Sequence, residues 1–221
     1  MSEDLVVVVA GGRPPRPEAA LGIPLDAPVV AADGGLEHAR ALGLEVTVAV
    51  GDFDSASPEA VREAGAAGVR IERHREDKDH TDLELALEAA LALSPARILV
   101  LADDGGRLDH LVAALLLLGS PRWAGVEIDA AIGPARVHVV RGERTFRGSE
   151  GELVSLLALH GPAEGVRTEG LAFPLHGETL ELGSTRGVSN AFSASEARVS
   201  VKHGVLLVIR PEPSRRDDPR D

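Results

Sequence analysis

Residues 46–55, Val-Thr-Val-Ala-Val-Gly-Asp-Phe-Asp-Ser, decide the fold class of this chain. An apolar, β-branched run such as Val46–Val50 is typical of a strand buried on both faces. Gly51 and two aspartates end that run. The serine and proline of Ser57-Pro58-Glu59 then supply an N-cap and a first helical residue, which together predict a helix start. A buried strand that passes through an acidic turn into a helix is the repeating unit of a parallel α/β sheet.

The same strand-to-helix pattern recurs through the first 130 residues. Thr81-Asp82-Leu83-Glu84 fits a capping box that opens a helix to about Leu93. Leu108–Leu118 is apolar nearly all round, which predicts a buried helix. Further strands are predicted at Leu5–Ala10, Pro28–Ala32, Val69–Arg73, Ile98–Ala102 and Val126–Ala130.

After about residue 131 the helical pattern stops, and short β-rich segments alternate with Gly, Pro and Ser. This pattern predicts a small antiparallel sandwich or barrel. Its strands are predicted at Val137–Val140, Glu152–Leu159, Thr179–Leu182, Ala197–Val201 and Val205–Ile209. The fold class is therefore α/β, with a parallel α/β sandwich domain over 1–130 and a smaller all-β sandwich domain over 131–210. The polar, proline-rich residues 211–221 are expected to be a disordered tail.

Composition removes several classes of function. The 221 residues carry a net charge of −12, which disfavours nucleic-acid binding because phosphates would be repelled. Because cysteine is absent, disulfides, thiolate zinc sites and cysteine nucleophiles are excluded. The longest apolar run, Leu111–Leu118, is too short to span a bilayer, and the acidic start does not resemble a signal peptide. We expect a cytoplasmic protein without membrane or nucleic-acid partners.

Acidic and glycine residues follow several of the predicted strands, at the sheet edge where open α/β sheets bind ligands. Asp52 and Asp54 lie two residues apart in a segment predicted to be extended, so both carboxylates can face one side. Such a pair suits Mg²⁺ carrying phosphates, whereas the alternative is that one of them only forms the turn. Asp33-Gly34-Gly35 is either a phosphate-binding turn or a plain strand-to-helix connection.

Two further clusters have phosphate-binding chemistry. Lys78-Asp79-His80-Thr81-Asp82 contains one of only two lysines in the chain, just before a predicted helix start. A compact ammonium there suits a polyphosphate, although Asp82 alone could be structural. Gly105-Gly106-Arg107-Leu108-Asp109-His110 is a glycine-rich loop that enters a helix, and it either binds phosphate or is an ordinary helix start.

The second half offers less specific signals. Ser189-Asn190 contains the single asparagine, which suits hydrogen bonding to a heteroaromatic ring but also suits a turn. Phe173 is an aromatic residue in a predicted loop; such residues more often belong to a core than to a stacking surface.

The ordered series of these motifs resembles the thiamin pyrophosphokinase family over roughly residues 5–210. Besides the clusters above, Thr168-Glu169-Gly170-Leu171 and Pro174-Leu175 fall in the family order. The resemblance implies that the chain transfers the pyrophosphoryl group of ATP to thiamin with Mg²⁺, giving thiamin diphosphate and AMP. It also implies a homodimer with active sites at the subunit interface.

Carried over by position, the resemblance implies three groups of site residues. Magnesium would be held by Asp52, Asp54 and Asp82, which with Asp33 form the catalytic set. The ATP site would include Gly34, Gly35, Lys78, Asp79, Thr81, Arg107 and Asp109. Thiamin would contact Phe173, Ser189 and Asn190.

Two alternatives keep much of this interpretation. A pyrophosphokinase that acts on a pterin alcohol would share the first domain and differ in the pocket around Phe173. A non-catalytic nucleotide- or thiamin-binding relative would be expected to lack part of the acidic set, yet Asp33, Asp52, Asp54 and Asp82 are all present. A metal-dependent phosphohydrolase is disfavoured because its histidine ligand motifs are missing.

Overall fold

The computed structural model describes residues 4–75, 77 and 79–211. The chain divides into two compact units, the first ending at Gly133 and the second beginning at Pro134. Lys78 and residues 212–221 of the predicted tail lie outside the described residues.

The first unit contains a six-stranded parallel sheet in the order β4-β3-β2-β1-β5-β6. Its inner strand β1 contains Val6–Val9, which are at most 1% exposed, so the side chains on both faces are buried. This explains a continuous apolar run rather than an alternating one. The strands are β1 Leu5–Val9, β2 Val29–Ala32, β3 Val46–Gly51, β4 Arg70–Arg73, β5 Arg97–Ala102 and β6 Glu127–Ile132.

Four α-helices accompany these strands: α1 Gly35–Ala41, α2 Pro58–Ala66, α3 Asp82–Leu91 and α4 Leu108–Leu118. The side chain of Ser57 accepts a hydrogen bond from the Ala60 N–H at 3.1 Å at the start of α2. Thr81 Oγ1 accepts from the Glu84 N–H at 3.3 Å at the start of α3. Both N-caps predicted from the sequence are therefore confirmed, and they place Asp82 in the first turn of α3.

Helix α4 has its predicted bounds, but the prediction that it is buried is wrong. Leu118 is the one residue of this helix that is buried in the structure. Leu108, Val112 and Leu116 are 72%, 47% and 45% exposed, and their spacing places them on one face. The apolar sequence of α4 indicates that its side chains favour burial. It does not indicate whether the same chain or another molecule buries them. We call these three residues the apolar face of α4.

The second unit is strand-rich, and its described strands pair antiparallel in the order β7-β13-β9-β12-β8. Strands β10 and β11 also pair with β9. Its core packs Leu156, Val166, Phe192 and Leu206, each at most 2% exposed. The strands are β7 Ala135–Val140, β8 Glu143–Arg147, β9 Leu153–Glu169, β10 His176–Leu180, β11 Asn190–Ala191, β12 Glu196–Ser200 and β13 His203–Arg210.

Strand β9 is far longer than the predicted Glu152–Leu159. It continues through His160 and Gly161, whose φ angles of 58° and 147° are positive. The register against β13 shifts near this point, and β9 then pairs with β10 and β12. The sequence around His160 and Gly161 resembles the end of a strand, but in the structure it forms a bend within β9. The expected α/β first half and strand-rich second half are confirmed.

None of the helices in the described ranges combines the length and the apolar character that crossing a membrane requires.

Candidate active site

A pocket of about 550 Å³ lies within the first unit, at the carboxyl ends of β1, β2, β3 and β5. The loops that follow these strands form its walls, together with the first residues of α3 and α4. We call it the strand-end pocket. Its charged lining residues are Arg13, Asp33, Asp52, Asp54, Asp82, Asp103 and Arg107.

Three carboxylates converge in this pocket. Asp33, Asp52 and Asp82 each offer one oxygen, and the three oxygens lie within 4.8 Å of one another. Asp33 is only 7% exposed, and one of its oxygens, Oδ2, accepts a hydrogen bond from Ser55 Oγ. Its other oxygen, Oδ1, is buried and has no hydrogen-bond partner among the described residues. We call these three residues the acidic trio.

The local backbone explains why the trio is so compact. Asp33 follows β2 with a left-handed φ of 48°, which turns its side chain away from the strand direction. At the end of β3, Gly51 has a φ of 154°, which residues with side chains rarely adopt. A Cβ at Gly51 would lie 3.1 Å from Asp33 Cβ and 3.2 Å from Asp82 Oδ1. Glycine at this position therefore lets two carboxylates of the trio approach each other.

Asp54 lies in the same pocket but does not belong to the trio. The prediction that residues 52–54 are extended is wrong, because Phe53 has a left-handed φ of 61°. The resulting turn lets the Asp54 N–H donate to Asp52 Oδ1 at 3.1 Å. The Phe53 ring is 7% exposed and lies 5.0 Å from the guanidinium of Arg73, so this strained turn is anchored by packing. The role of Asp54 as a metal ligand stays a prediction.

The trio has the donor chemistry of a site for a hard divalent cation. Carboxylate oxygens are the ligands that Mg²⁺ prefers, and it binds through one or two carboxylates together with substrate phosphates and water. The buried Asp33 Oδ1 lacks any protein hydrogen-bond donor among the described residues, and a cation would satisfy it. The residues present therefore fit a magnesium ion.

Arginines line the pocket beyond the trio. Arg107 Nη2 and Nε donate to the two carboxylate oxygens of Asp109 at 2.6 and 3.2 Å. This hydrogen-bonded pair lowers the pKa of Asp109 to about 2 and raises the pKa of Arg107. The fork fixes the direction of the guanidinium, while both side chains stay exposed. Arg13 was not among the predicted site residues. It follows β1 at the same sheet edge, and ligands bind at the carboxyl ends of the strands in open α/β sheets, so its position could have been used to find it.

The predicted ATP-site residues are distributed unevenly. Thr81 and Arg107 line the pocket together with the four aspartates of the catalytic set. Gly35 has a packing role, because a Cβ there would lie 2.2 Å from the carbonyl oxygen of Val9. Within the described part of the chain, Gly34, Gly35, Asp79 and Asp109 are not among the lining residues.

The predicted thiamin residues come together in the second unit. Asn190 is 5% exposed, and its Oδ1 accepts from the N–H groups of Phe173 and Ala191 at 3.0 and 2.9 Å. Its Nδ2 donates to the Phe173 carbonyl at 2.7 Å. The Phe173 ring is left 69% exposed, and the Ser189 N–H donates to Ser155 Oγ at 3.1 Å. The asparagine amide thus holds the Phe173 backbone and leaves the ring accessible.

A parallel sheet with arginines and a carboxylate trio that suits a divalent cation at its strand ends is the arrangement of an enzyme that acts on phosphate compounds. The family model for the thiamin pyrophosphokinase catalytic domain matches residues 26–128. The model for the thiamin pyrophosphokinase vitamin B1 binding domain matches residues 136–206. The chain belongs to the thiamin pyrophosphokinase family.

Individual relatives agree with this assignment. Thiamine pyrophosphokinase of Bacillus subtilis is 28% identical over 170 residues, covering 76% of this chain and 79% of the relative. The structure of a thiamin pyrophosphokinase family protein from Enterococcus faecalis is 28% identical, with a TM-score of 0.78 over 94% of this chain and 99% of the other. The thiamin pyrophosphokinase structure from Geobacillus thermodenitrificans is 27% identical, with a TM-score of 0.80 over 96% and 99%.

Proposed function

We propose that the chain transfers the pyrophosphoryl group of ATP to the hydroxyethyl oxygen of thiamin, releasing thiamin diphosphate and AMP. The observation that carries this proposal is the acidic trio in the strand-end pocket, within the part of the chain that matches the family's catalytic domain. A second unit that matches the family's vitamin B1 binding domain supports thiamin as the acceptor.

In this proposal Asp52, Asp54 and Asp82 hold magnesium, and the geometry adds Asp33 to the same group. Magnesium neutralises phosphate charge and makes the β-phosphorus more electrophilic. The carboxylates fix where the phosphates bind, and without a cation the trio would repel them. Either Asp33 or Asp82 is the proposed acceptor for the proton of the thiamin hydroxyl. Little covalent chemistry falls to the protein, so positioning and electrostatics supply the rate.

The remaining ATP-site residues have graded support. Arg107, oriented by Asp109, presents a fixed cation to the phosphates. Thr81 is the N-cap of α3 and also lines the pocket, so it is compatible with the proposed ATP contact. Gly34, Gly35, Lys78 and Asp79 stay predicted ATP contacts.

For thiamin, the exposed Phe173 ring is the proposed stacking surface. Asn190 is then a positioning residue, because its amide is used in holding the Phe173 backbone. Ser189 lies next to it with an exposed side chain and is the proposed polar contact.

The homodimer is part of the proposal, with active sites at the subunit interface. The apolar face of α4 supports it, because this helix starts at the strand-end pocket and presents three exposed aliphatic side chains. Such a patch is typical of a protein interface. Val112→Glu is expected to convert the dimer to a monomer in size-exclusion chromatography with light scattering. Leu25→Glu, at a position 89% exposed outside α4, is the matched control; equal behaviour of the two variants would reject this interface.

The reaction is tested directly by incubating the protein with thiamin and MgATP and separating the nucleotides and thiamin species. Equal amounts of AMP and thiamin diphosphate are expected. Turnover with a pterin alcohol but not with thiamin would favour the pterin alternative. Saturable ATP or thiamin binding without turnover would favour a non-catalytic relative. Cytoplasmic localisation stays a prediction of the sequence.

The metal ligands are tested with isosteric substitutions. Asp52→Asn is expected to reduce turnover at least 100-fold and to leave the fold intact. Asp26→Asn, an exposed carboxylate outside the pocket, should behave as wild type. Near-normal turnover of Asp52→Asn would overturn the metal assignment.

A further inference from the structure

Arg13 is a cation in the strand-end pocket that lies ahead of residue 26, where the match to the family's catalytic domain begins. It follows β1 in the loop Gly11-Gly12-Arg13. A Cβ on Gly105 would lie only 2.5 Å from Arg13 Nη1 and 3.1 Å from Arg13 Cδ. The guanidinium is therefore packed over the backbone of the loop that follows β5, a position available only because residue 105 is glycine.

The two pocket arginines differ in what holds them. Arg107 is bound through two hydrogen bonds to Asp109. No carboxylate forms an ion pair with Arg13 across residues 4–75, 77 and 79–211. The nearby Asp103 instead uses Oδ2 to accept the Gly105 N–H at 2.9 Å. The five N–H donors of Arg13 are thus available for an anion that enters the pocket.

The strand order separates the charges along the pocket. Asp52 follows β3 and Asp33 follows β2, whereas Arg13 follows β1 and Arg107 follows β5. These strands are neighbours in the order β3-β2-β1-β5, so the strand before Arg13 lies two spacings of about 4.8 Å, roughly 10 Å, from the strand before Asp52 and one spacing from the strand before Asp33. The β2–β3 side of the pocket therefore carries carboxylates and suits a cation. The β1–β5 side carries two arginines beside one carboxylate, Asp103, whose Oδ2 accepts the Gly105 N–H, and it suits an anion.

We infer that Arg13 binds the α-phosphate of the nucleotide and stabilises AMP as the leaving group, an inference that rests on the proposed reaction. The β- and γ-phosphates, which are transferred together, belong at the trio, where their charge can be neutralised. The α-phosphate stays with adenosine and then faces the β1 side of the pocket. Arg13 thus contacts the α-phosphate, which stays with AMP, and not the β- and γ-phosphates, which are transferred to thiamin.

The step in which Arg13 matters is the breaking of one P–O bond. The oxygen of the thiamin hydroxyl bonds to the β-phosphorus, and its proton is released, finally to solvent. The bond between the β-phosphorus and the oxygen that bridges to the α-phosphate breaks, and its electron pair remains on that oxygen of AMP. A guanidinium at the α-phosphate stabilises this developing charge and so raises kcat as well as nucleotide affinity.

The test measures binding and turnover separately in the full chain. Arg13→Gln is expected to weaken AMP binding in calorimetry about 10- to 100-fold, the loss typical of a charge-assisted hydrogen bond. Binding of thiamin diphosphate, which lacks this phosphate, should change less than about twofold. The kcat for thiamin diphosphate formation should fall as well, and Arg13→Lys should recover part of both losses. Arg62→Gln, an exposed arginine on α2, is the matched control.

A second variant tests the placement of the side chain. Gly105→Ala keeps Arg13 but puts a methyl group where its guanidinium lies, so it should weaken AMP binding as well. AMP affinity equal to that of Arg62→Gln in both pocket variants would overturn the inference. A loss confined to thiamin diphosphate binding would also overturn it, by placing Arg13 at the transferred group. Absence of turnover in the wild type would reject the proposed reaction, whereas AMP titration tests Arg13 without turnover.

Discussion

Replacement of Asp33 by asparagine should stabilise the metal-free protein and at the same time impair its magnesium binding. In the wild type, three carboxylate oxygens lie within 4.8 Å of one another, and Asp33 is only 7% exposed. Two unit charges at this distance repel by roughly 0.9 kcal/mol in water and about 3.5 kcal/mol at an effective dielectric constant of 20. Since Asp52 and Asp82 are only half-buried, solvent screens part of this repulsion. Removal of the Asp33 charge should therefore raise the free energy of unfolding by about 1–2 kcal/mol.

The geometry favours asparagine in a second way. Its Oδ1 can keep the hydrogen bond from Ser55 Oγ. Its Nδ2 then takes the place of Asp33 Oδ1, the buried oxygen that no described residue donates to, and adds a hydrogen-bond donor to the acidic trio. A repulsive contact thereby becomes an attractive one. We expect the melting temperature of the metal-free protein to rise by about 3–8 °C.

Trp123 makes the measurement specific to the unit that contains the site. It is the single tryptophan of the chain, it is 1% exposed, and it lies in the first unit, so its fluorescence reports the unfolding of that unit. Melting is followed in EDTA and again in MgCl₂. The wild type should gain stability from magnesium by mass action, and Asp33→Asn should gain much less.

Asp54→Asn is the control for this prediction. It makes the same chemical change in the same pocket, but at a carboxylate outside the trio, and should leave the metal-free melting temperature within about 1 °C. A lower metal-free melting temperature of Asp33→Asn, combined with an undiminished magnesium response, would show that the trio is neither repulsive nor a cation site.

Three other predictions concern single contacts. Gly35→Ala should destabilise the first unit by about 3 kcal/mol in urea denaturation, because its new Cβ would overlap a carbonyl oxygen of β1. Asn190→Ala should raise the KM for thiamin by releasing the Phe173 backbone, with a loss of about 2–3 kcal/mol in unfolding free energy. Arg107→Ala should raise the pKa of Asp109 from about 2 towards its ordinary value, as measured by a carboxyl NMR titration.

Matched variants separate these effects from general damage. Gly12→Ala has a positive φ of 87° but no atom within 4 Å of the new Cβ, so it should cost less than Gly35→Ala. Asn190→Asp keeps the acceptor and loses the donor, and should fall between wild type and alanine. An unchanged KM for Asn190→Ala, despite lost stability, would contradict its positioning role.

The Asp109 prediction has a definite sign with pH. Its pKa is lowered in the folded chain, so the stability from its pair with Arg107 is present above the ordinary carboxyl pKa near 4. That stability is lost as the pH falls towards about 2. An Asp109 titration near pH 4 in the wild type would show that the pair does not form in solution.

Local signals in the sequence predicted much of the fold. Strand β1 is marked by a continuous apolar run, and the helix starts at Ser57 and Thr81 depend on hydrogen bonds to residues three positions away. Such short-range features can be read directly from the sequence. Strand β8 was missed because Glu143–Arg147 has one buried side chain, Phe146, and lacks an apolar run. The burial of α4 depends on what lies across from it, and no pattern within the helix contains that information.

The sequence predicted which aspartates follow the strand ends and line the pocket. It did not predict the backbone conformation between them. The left-handed φ of Phe53 separates Asp54 from Asp52, and an alternating pattern cannot reveal it. The same conformation at Asp33 helps to bring its carboxylate to the trio. The position of Arg13 after β1 was visible in the sequence, but its contact with Gly105 was not, because that contact joins loops that are distant in the sequence and adjacent through the pairing of β1 with β5.

The pairing of β13 has a consequence for synthesis of the chain. Strand β13, His203–Arg210, pairs with both β7 and β9, so the second unit has an open seam until the residues of β13 have been made. The first unit uses only residues that emerge earlier. At 5–20 residues per second, the ribosome needs roughly 4–18 s to add the second unit after Gly133. During that interval the first unit can fold while β7 and β9 wait with exposed edges, where a nascent chain is most prone to aggregate.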